Sequence, residues 1–161
     1  MSTVYVSIGS NINKEANIKG CLQALAENFG ALELSKIYES EAVGFDGDNF
    51  FNLVAKFETD LSVADLNIRL KAIEDQYGRE RSGPKFSGRT LDIDILTYDN
   101  LVGTIDGVEL PRDEITKNAF VLLPLSEIAP NELHPEQNVS YARLWFFFDK
   151  DSQKLWPVTL S

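Results

Sequence analysis

Asp92 and Asp94 stand two residues apart in Leu91-Asp92-Ile93-Asp94-Ile95, an apolar run that reads as a β-strand. On a strand, residues i and i+2 share a face and lie roughly 6.5–7 Å apart. Both carboxylates therefore project together, while Leu91, Ile93 and Ile95 point into an apolar interior. Two like charges so close call for a cation between them. Paired hard oxygen ligands suit Mg²⁺, which completes its shell with waters and substrate phosphates. Just upstream, Arg79, Arg81, Lys85 and Arg89 are placed to neutralise phosphate oxygens. Residues 69–89 hold six of the fifteen basic residues against three acids, in a chain of net charge −10. An acid pair for metal beside a basic loop for phosphate points to Mg²⁺-dependent phosphoryl-type transfer. The plainer alternative is a strand end beside a solvated helix face.

The rest of the chain must position those residues. Its 161 residues suit one domain, 1–161, with a sizeable core. A hydrophobic content of 43% with 25% charged residues is that of a soluble globular protein. The acidic balance argues against nucleic-acid or anionic-membrane partners. No apolar run reaches the length of a membrane span. Met1 to Val6 carries no basic segment followed by an apolar stretch, so no signal peptide is expected. The single cysteine, Cys21, excludes an internal disulfide and reads as a buried, reduced thiol. A cytoplasmic location is expected.

Strands are expected at 4–8, 32–40, 50–59 and 91–98, with a hairpin over 102–110 turning at Asp106-Gly107. Helices are expected at 16–29, at 62–77 with Ser62 as cap and Gly78 as stop, and at 120–128 before Pro130. Residues 42–49 and 80–88 read as loops. The tail from 141 to 160 reads as a helix followed by a strand. Strand, helix, strand, strand, helix, strand is the ferredoxin-like split βαβ order. The expected class is α+β: a mainly antiparallel sheet, helices on one face, and C-terminal additions.

With these residues placed, the chain resembles the 6-hydroxymethyl-7,8-dihydropterin pyrophosphokinases of folate biosynthesis. The likeness runs from Tyr5-Val6-Ser7-Ile8-Gly9-Ser10-Asn11 to Leu122-Leu123-Pro124-Leu125 and on to Pro130. Its most specific pieces are Gly78-Arg79-Glu80-Arg81 and Gly88-Arg89-Thr90-Leu91-Asp92-Ile93-Asp94-Ile95. The family has a ferredoxin-like fold and moves the terminal pyrophosphate of ATP to the hydroxymethyl group of a dihydropterin, releasing AMP. The resemblance implies two Mg²⁺ ions on Asp92 and Asp94, with Asp94 also helping to deprotonate the hydroxyl. It implies phosphate contacts from Arg79, Arg81 and Arg89, and a nucleotide site at the positions held here by Lys71, Glu74, Arg81, Ile95 and Arg112. Without the family, Glu74 reads as a helix-surface acid paired with Lys71. For the pterin, the resemblance implies stacking between Phe50 and Phe120 and edge recognition by Asn52, whose amide both donates and accepts. It also implies ring contacts from Ser40, Glu41 and Val43. The loops at 42–49 and 82–87 match family loops that close over substrates.

Several departures cluster on the nucleotide side. Arg112-Asp113 stands where the family usually has His-Tyr, and Asn118-Ala119 where an arginine commonly precedes the stacking aromatic. Lys71 replaces a usual glutamine and Phe86 a common tryptophan. Arg112 is a candidate replacement for a lost phosphate contact, whereas Asp113 brings negative charge to where ATP should sit. His134, the only histidine, lies outside the motifs and reads as a turn residue. Three readings stay open: the kinase, a diverged homologue that binds pterin without transfer, and an enzyme of the same reaction type with another pterin or nucleotide. ATP and a dihydropterin are the expected partners, with the protein a monomer or weak homodimer.

Overall fold

A computed structural model describes residues 1–41, 48–77 and 91–160. Strand β1 (Ser2–Ser10) leads into helix α1 (Lys14–Phe29), then β2 (Glu33–Leu34), β3 (Ile37–Ser40) and β4 (Phe50–Thr59). Helix α2 (Val63–Gln76) and β5 (Asp92–Tyr98) follow, then the hairpin of β6 (Gly103–Ile105) and β7 (Val108–Leu110). Helices α3 (Glu114–Lys117), α4 (Ala119–Ile128) and α5 (Tyr141–Phe147) precede a closing β8 (Leu155–Val158). The main sheet runs β5-β1-β4-β3-β8, with β2 also on β4, and every pairing in it is antiparallel. Its first four strands have the ferredoxin-like order, as expected.

Local signals explain most boundaries. The Ser62 side chain accepts the Asp65 N–H at 3.1 Å and starts α2. Asp106 (φ 51°) and Gly107 (φ 80°) take the left-handed conformations that a two-residue hairpin turn requires. The expected strand 32–40 is broken in two. Ser35 interrupts it by exchanging bonds with Val54, its N–H going to the Val54 carbonyl and its Oγ accepting the Val54 N–H, both at 2.9 Å. A side chain thus replaces one rung of the ladder.

Helices cover both faces of the sheet, not one as expected. Val4, Val6, Ile8, Leu53, Ala55 and Phe57 pack against α1 and α2. Tyr5, Val54 and Leu96 pack against α3, α4 and α5 on the other side. The reason lies in β1 and β4, which are buried almost continuously instead of alternating. Cys21 is fully buried in the first of these cores, where desolvation, with the nearby charge of Glu74, pushes its thiol up to about 12.

His134 is the expected turn residue. Its Nδ1 accepts the N–H groups of Glu136 (3.2 Å) and Gln137 (3.1 Å), which only a neutral Nδ1 can do. Burial lowers its pKa below the usual 6.5, with Glu136 opposing in part. The depressed value means that this turn stabilises the fold fully above pH 6.5 and progressively less as pH falls through the folded-state value. Thermal melts at pH 7.5 and 5.5 are expected to separate more for the parent chain than for His134→Asn. An equal separation would remove the turn's role.

Candidate active site

The register of three strands builds the site. Asp92 lies opposite Gly9, and Gly9 lies opposite Asn52. One step along, Asp94 faces Ser7 and Ser7 faces Val54. Residues in register share a face, so Asp92, Asp94, Ser7 and Asn52 all look toward α3 and α4. Ile93 and Ile95 turn the other way into the α1–α2 core, as the alternation predicts. Strands are spaced about 4.8 Å apart, so the Asp92 and Asn52 backbones are separated by about 10 Å with only a glycine between them. A Cβ at Gly9 would stand 2.6 Å from Asn52 Oδ1. Gly9 thus leaves the floor between acids and amide open. Gly9→Ala is expected to displace the Asn52 amide, raising the KM for the pterin several-fold more than that for ATP. An unchanged pterin KM would show that the close approach does not matter.

A bulge tunes the acid strand. Val6 pairs with Ile95 but Tyr5 pairs with Thr97, leaving Leu96 as the extra residue. The Leu96 carbonyl accepts the Arg112 N–H at 2.9 Å and so pins Arg112 beside the acids. The Arg112 guanidinium bonds Glu114 Oε1 (2.6 and 2.7 Å) and lies 3.7 Å from Asp94 Oδ2. Burial alone would lower the Arg112 pKa, but the Asp94 and Glu114 carboxylates carry it upward. Arg112 therefore carries a fixed positive charge at the edge of the acid pair. Asp113, the residue expected to oppose ATP, is instead paired with Lys117 at 2.9 Å, a bond that holds its pKa low. Glu114 is not among the residues that the motifs pick out. Its one sequence signal is the spacing Arg112-Asp113-Glu114 at a helix start.

Glu74 is not the surface acid of the plain reading. It is 4% exposed, and its Oε2 accepts the Ile93 N–H at 2.7 Å, tying α2 to the outer edge of β5. Lys71 on the same helix is exposed. The Ile95 side chain is buried, so main chain is what it can offer a nucleotide. Arg79, Arg81 and Arg89 lie outside the described residues, as do Val43, Gly78 and most of both expected closing loops.

On the pterin side, Asn52 is buried and its Nδ2 donates to Ser40 Oγ at 3.4 Å. Phe50 and Phe120 are half-buried. Among the described residues, Ser40, Glu41, Ala119 and Phe120 line a cavity of ≈ 140 Å³ together with residues 152–155. Asn11 Nδ2 donates to the Asp48 carbonyl (3.1 Å) and Lys14 Nζ to that of Asn49 (3.0 Å), anchoring the approach to β4.

The donor chemistry fits Mg²⁺. Two half-buried carboxylates on one face leave the rest of a shell to waters and phosphates, as that ion prefers. Among the described residues there is no group of three or more side chains suited to hold a metal.

The family model of 7,8-dihydro-6-hydroxymethylpterin-pyrophosphokinase matches residues 5–130. The chain belongs to this family. The 2-amino-4-hydroxy-6-hydroxymethyldihydropteridine pyrophosphokinase of Aquifex aeolicus is 36% identical over 137 residues, covering 84% of this chain and 85% of its own. The enzyme of the same description from Haemophilus influenzae is 33% identical over 161 residues, covering 98% of this chain and all of its own. Folic acid synthesis protein FOL1 of Dictyostelium discoideum is 37% identical over 146 residues, 88% of this chain, but this chain spans only 22% of that protein. Among solved structures, wild-type HPPK-DHPS of Plasmodium falciparum has a TM-score of 0.73 at 13% identity, covering 91% of this chain and 43% of that one. The likeness supports the fold. The pyrophosphokinase family is an enzyme family with ATP as co-substrate, and the antiparallel α+β architecture is the family's own. Among the described residues, no helix is long and apolar enough to cross a membrane.

Proposed function

We propose that this chain transfers the terminal pyrophosphate of ATP to the hydroxymethyl group of 6-hydroxymethyl-7,8-dihydropterin in folate synthesis. The hydroxyl oxygen bonds to the β-phosphorus, the bond from that phosphorus to the AMP oxygen breaks, AMP departs, and the hydroxyl proton is lost. The observation that carries this reading is the shared face of Asp92, Asp94 and Asn52 with Gly9 between them. It sets a metal-type acid pair beside an amide able to read a pterin edge. Two Mg²⁺ ions held by Asp92 and Asp94 would supply charge neutralisation and alignment of the β-phosphorus.

The chain's own groups do the rest. Phe50 and Phe120 stack on the pterin, and Ser40, Glu41 and Val43 complete its slot. Arg79, Arg81 and Arg89 grip phosphate oxygens. Arg112 extends that positive field, and Glu74 fixes the strand that bears the acids. Lys71 and the Ile95 main chain border the nucleotide. Asp94 takes up the hydroxyl proton. One domain, 1–161, acts on small molecules in the cytoplasm as a monomer or weak homodimer, without nucleic-acid or membrane partners.

The test mixes the protein with ATP, Mg²⁺ and 6-hydroxymethyl-7,8-dihydropterin and reads AMP, with Asp92→Ala as the blank. Pterin-dependent AMP that vanishes in the variant supports the kinase. Pterin binding without AMP would transfer the assignment to a binding protein.

A further inference from the structure

Residues 152–158 lie against β3 and the junction of α3 and α4. β8 pairs antiparallel with β3, and Leu155 lies opposite Ser40. Two residues before β8, the Gln153 amide reaches across the fold to the junction of α3 and α4. Its Oε1 accepts the Ala119 N–H at 2.7 Å, and its Nε2 donates to the Lys117 carbonyl at 2.8 Å. The junction needs both bonds. The first amides of a helix have no partner within it. Asn118, the cap residue of α4, makes no capping bond with its side chain. Gln153 supplies the cap from a distant segment and holds the end of α3 with the same group. Asn118, extended at φ −120°, ψ 122°, is the joint between the two helices, and Gln153 fastens the residue on either side of it.

Phe120 stands two residues beyond that joint. It lines the ≈ 140 Å³ cavity together with Ser40, Glu41 and Ala119, and residues 152–155 line the same cavity. We propose that the segment 152–158 is a built-in clamp on the pterin subsite, with Gln153 the positioning residue that fixes the ring of Phe120 for stacking. This rests on the reading that Phe120 stacks on the pterin. The bonds named here join the clamp to β3, Lys117 and Ala119, while Arg112 is fastened separately, by Glu114 and by the Leu96 carbonyl. A loosened joint lowers the fraction of molecules with the ring in place, and apparent pterin affinity falls by that fraction. The nucleotide site keeps its affinity.

The experiment uses the whole chain with Gln153→Met, which fills similar space without hydrogen bonds, and Gln153→Glu, which keeps the acceptor for the Ala119 N–H. Calorimetry measures 6-hydroxymethylpterin and, separately, a non-hydrolysable ATP analogue with Mg²⁺. The expected result is a pterin Kd raised about tenfold in Gln153→Met and less in Gln153→Glu. The Kd for the ATP analogue is expected to stay within about twofold. Unchanged pterin affinity, or equal loss of both ligands, overturns the clamp. If Gln153→Met melts below the assay temperature, Gln153→Glu carries the comparison alone. Phe120→Ala separates the two readings. If it leaves pterin affinity unchanged, the stacking assignment fails. If it weakens pterin binding while Gln153→Met does not, only the clamp fails.

Discussion

Asp92→Ala and Asp94→Ala are each expected to lower pterin-dependent AMP formation by about 10³-fold or more, with the melting temperature within a few degrees of the parent. The size follows from losing a metal ligand where nearly all catalysis of phosphoryl transfer is alignment and charge stabilisation. The persistence of the fold follows from the strand's geometry. Ile93 and Ile95 hold β5 in the core and survive the change, whereas both acids look outward from it. Arg112 keeps its close bond to Glu114 when Asp94 is gone, so that guanidinium still has a carboxylate partner. Removing one of two adjacent like charges also relieves repulsion. Activity by AMP release and stability by thermal melt, on the same preparations, check both halves. Near-normal turnover in either variant would sink the metal assignment, and collapse of the fold would show that the acids serve packing.

Asn52→Ala is expected to weaken pterin binding on the order of a hundredfold while leaving the Kd of an ATP analogue within about threefold. A buried amide that both donates and accepts discriminates strongly, because its loss strands polar atoms of the ligand. The nucleotide acids lie two strands away across Gly9, so the effect should not spread. Parallel titrations of both ligands against parent and variant decide the matter. A matched loss of the two would remove Asn52 from the pterin edge.

Much of this was legible in the sequence because the signals were local. The alternation at 91–95 assigned the two acids to one face, and the structure keeps them there. β4 begins and ends at the residues read, and Ser62 caps the helix it was expected to cap. What escaped depends on pairs distant in the chain. The second helical layer follows from two-sided burial of β1 and β4, and an apolar run does not reveal how many layers will cover it. The break at Ser35 arises from a bond to Val54, nineteen residues on. The burial of Glu74 depends on where β5 comes to rest, nineteen residues away. The contact of Gln153 with Ala119 spans 34 residues, and nothing near Gln153 announces it.

The two borders of the sheet bear on how the protein keeps to itself. A strand at a border normally presents bare amides that a second chain can copy, the first step toward fibres or domain exchange. Here the outermost β8 carries Pro157, which has no N–H to offer. At the opposite border one outward amide of β5 is taken by the Glu74 carboxylate. A sheet bordered by an imino acid on one side and a buried carboxylate on the other is a poor template for a neighbour. Concentrated solutions of this protein should therefore resist strand-to-strand aggregation, and variants lacking Pro157 should be the first to lose that resistance.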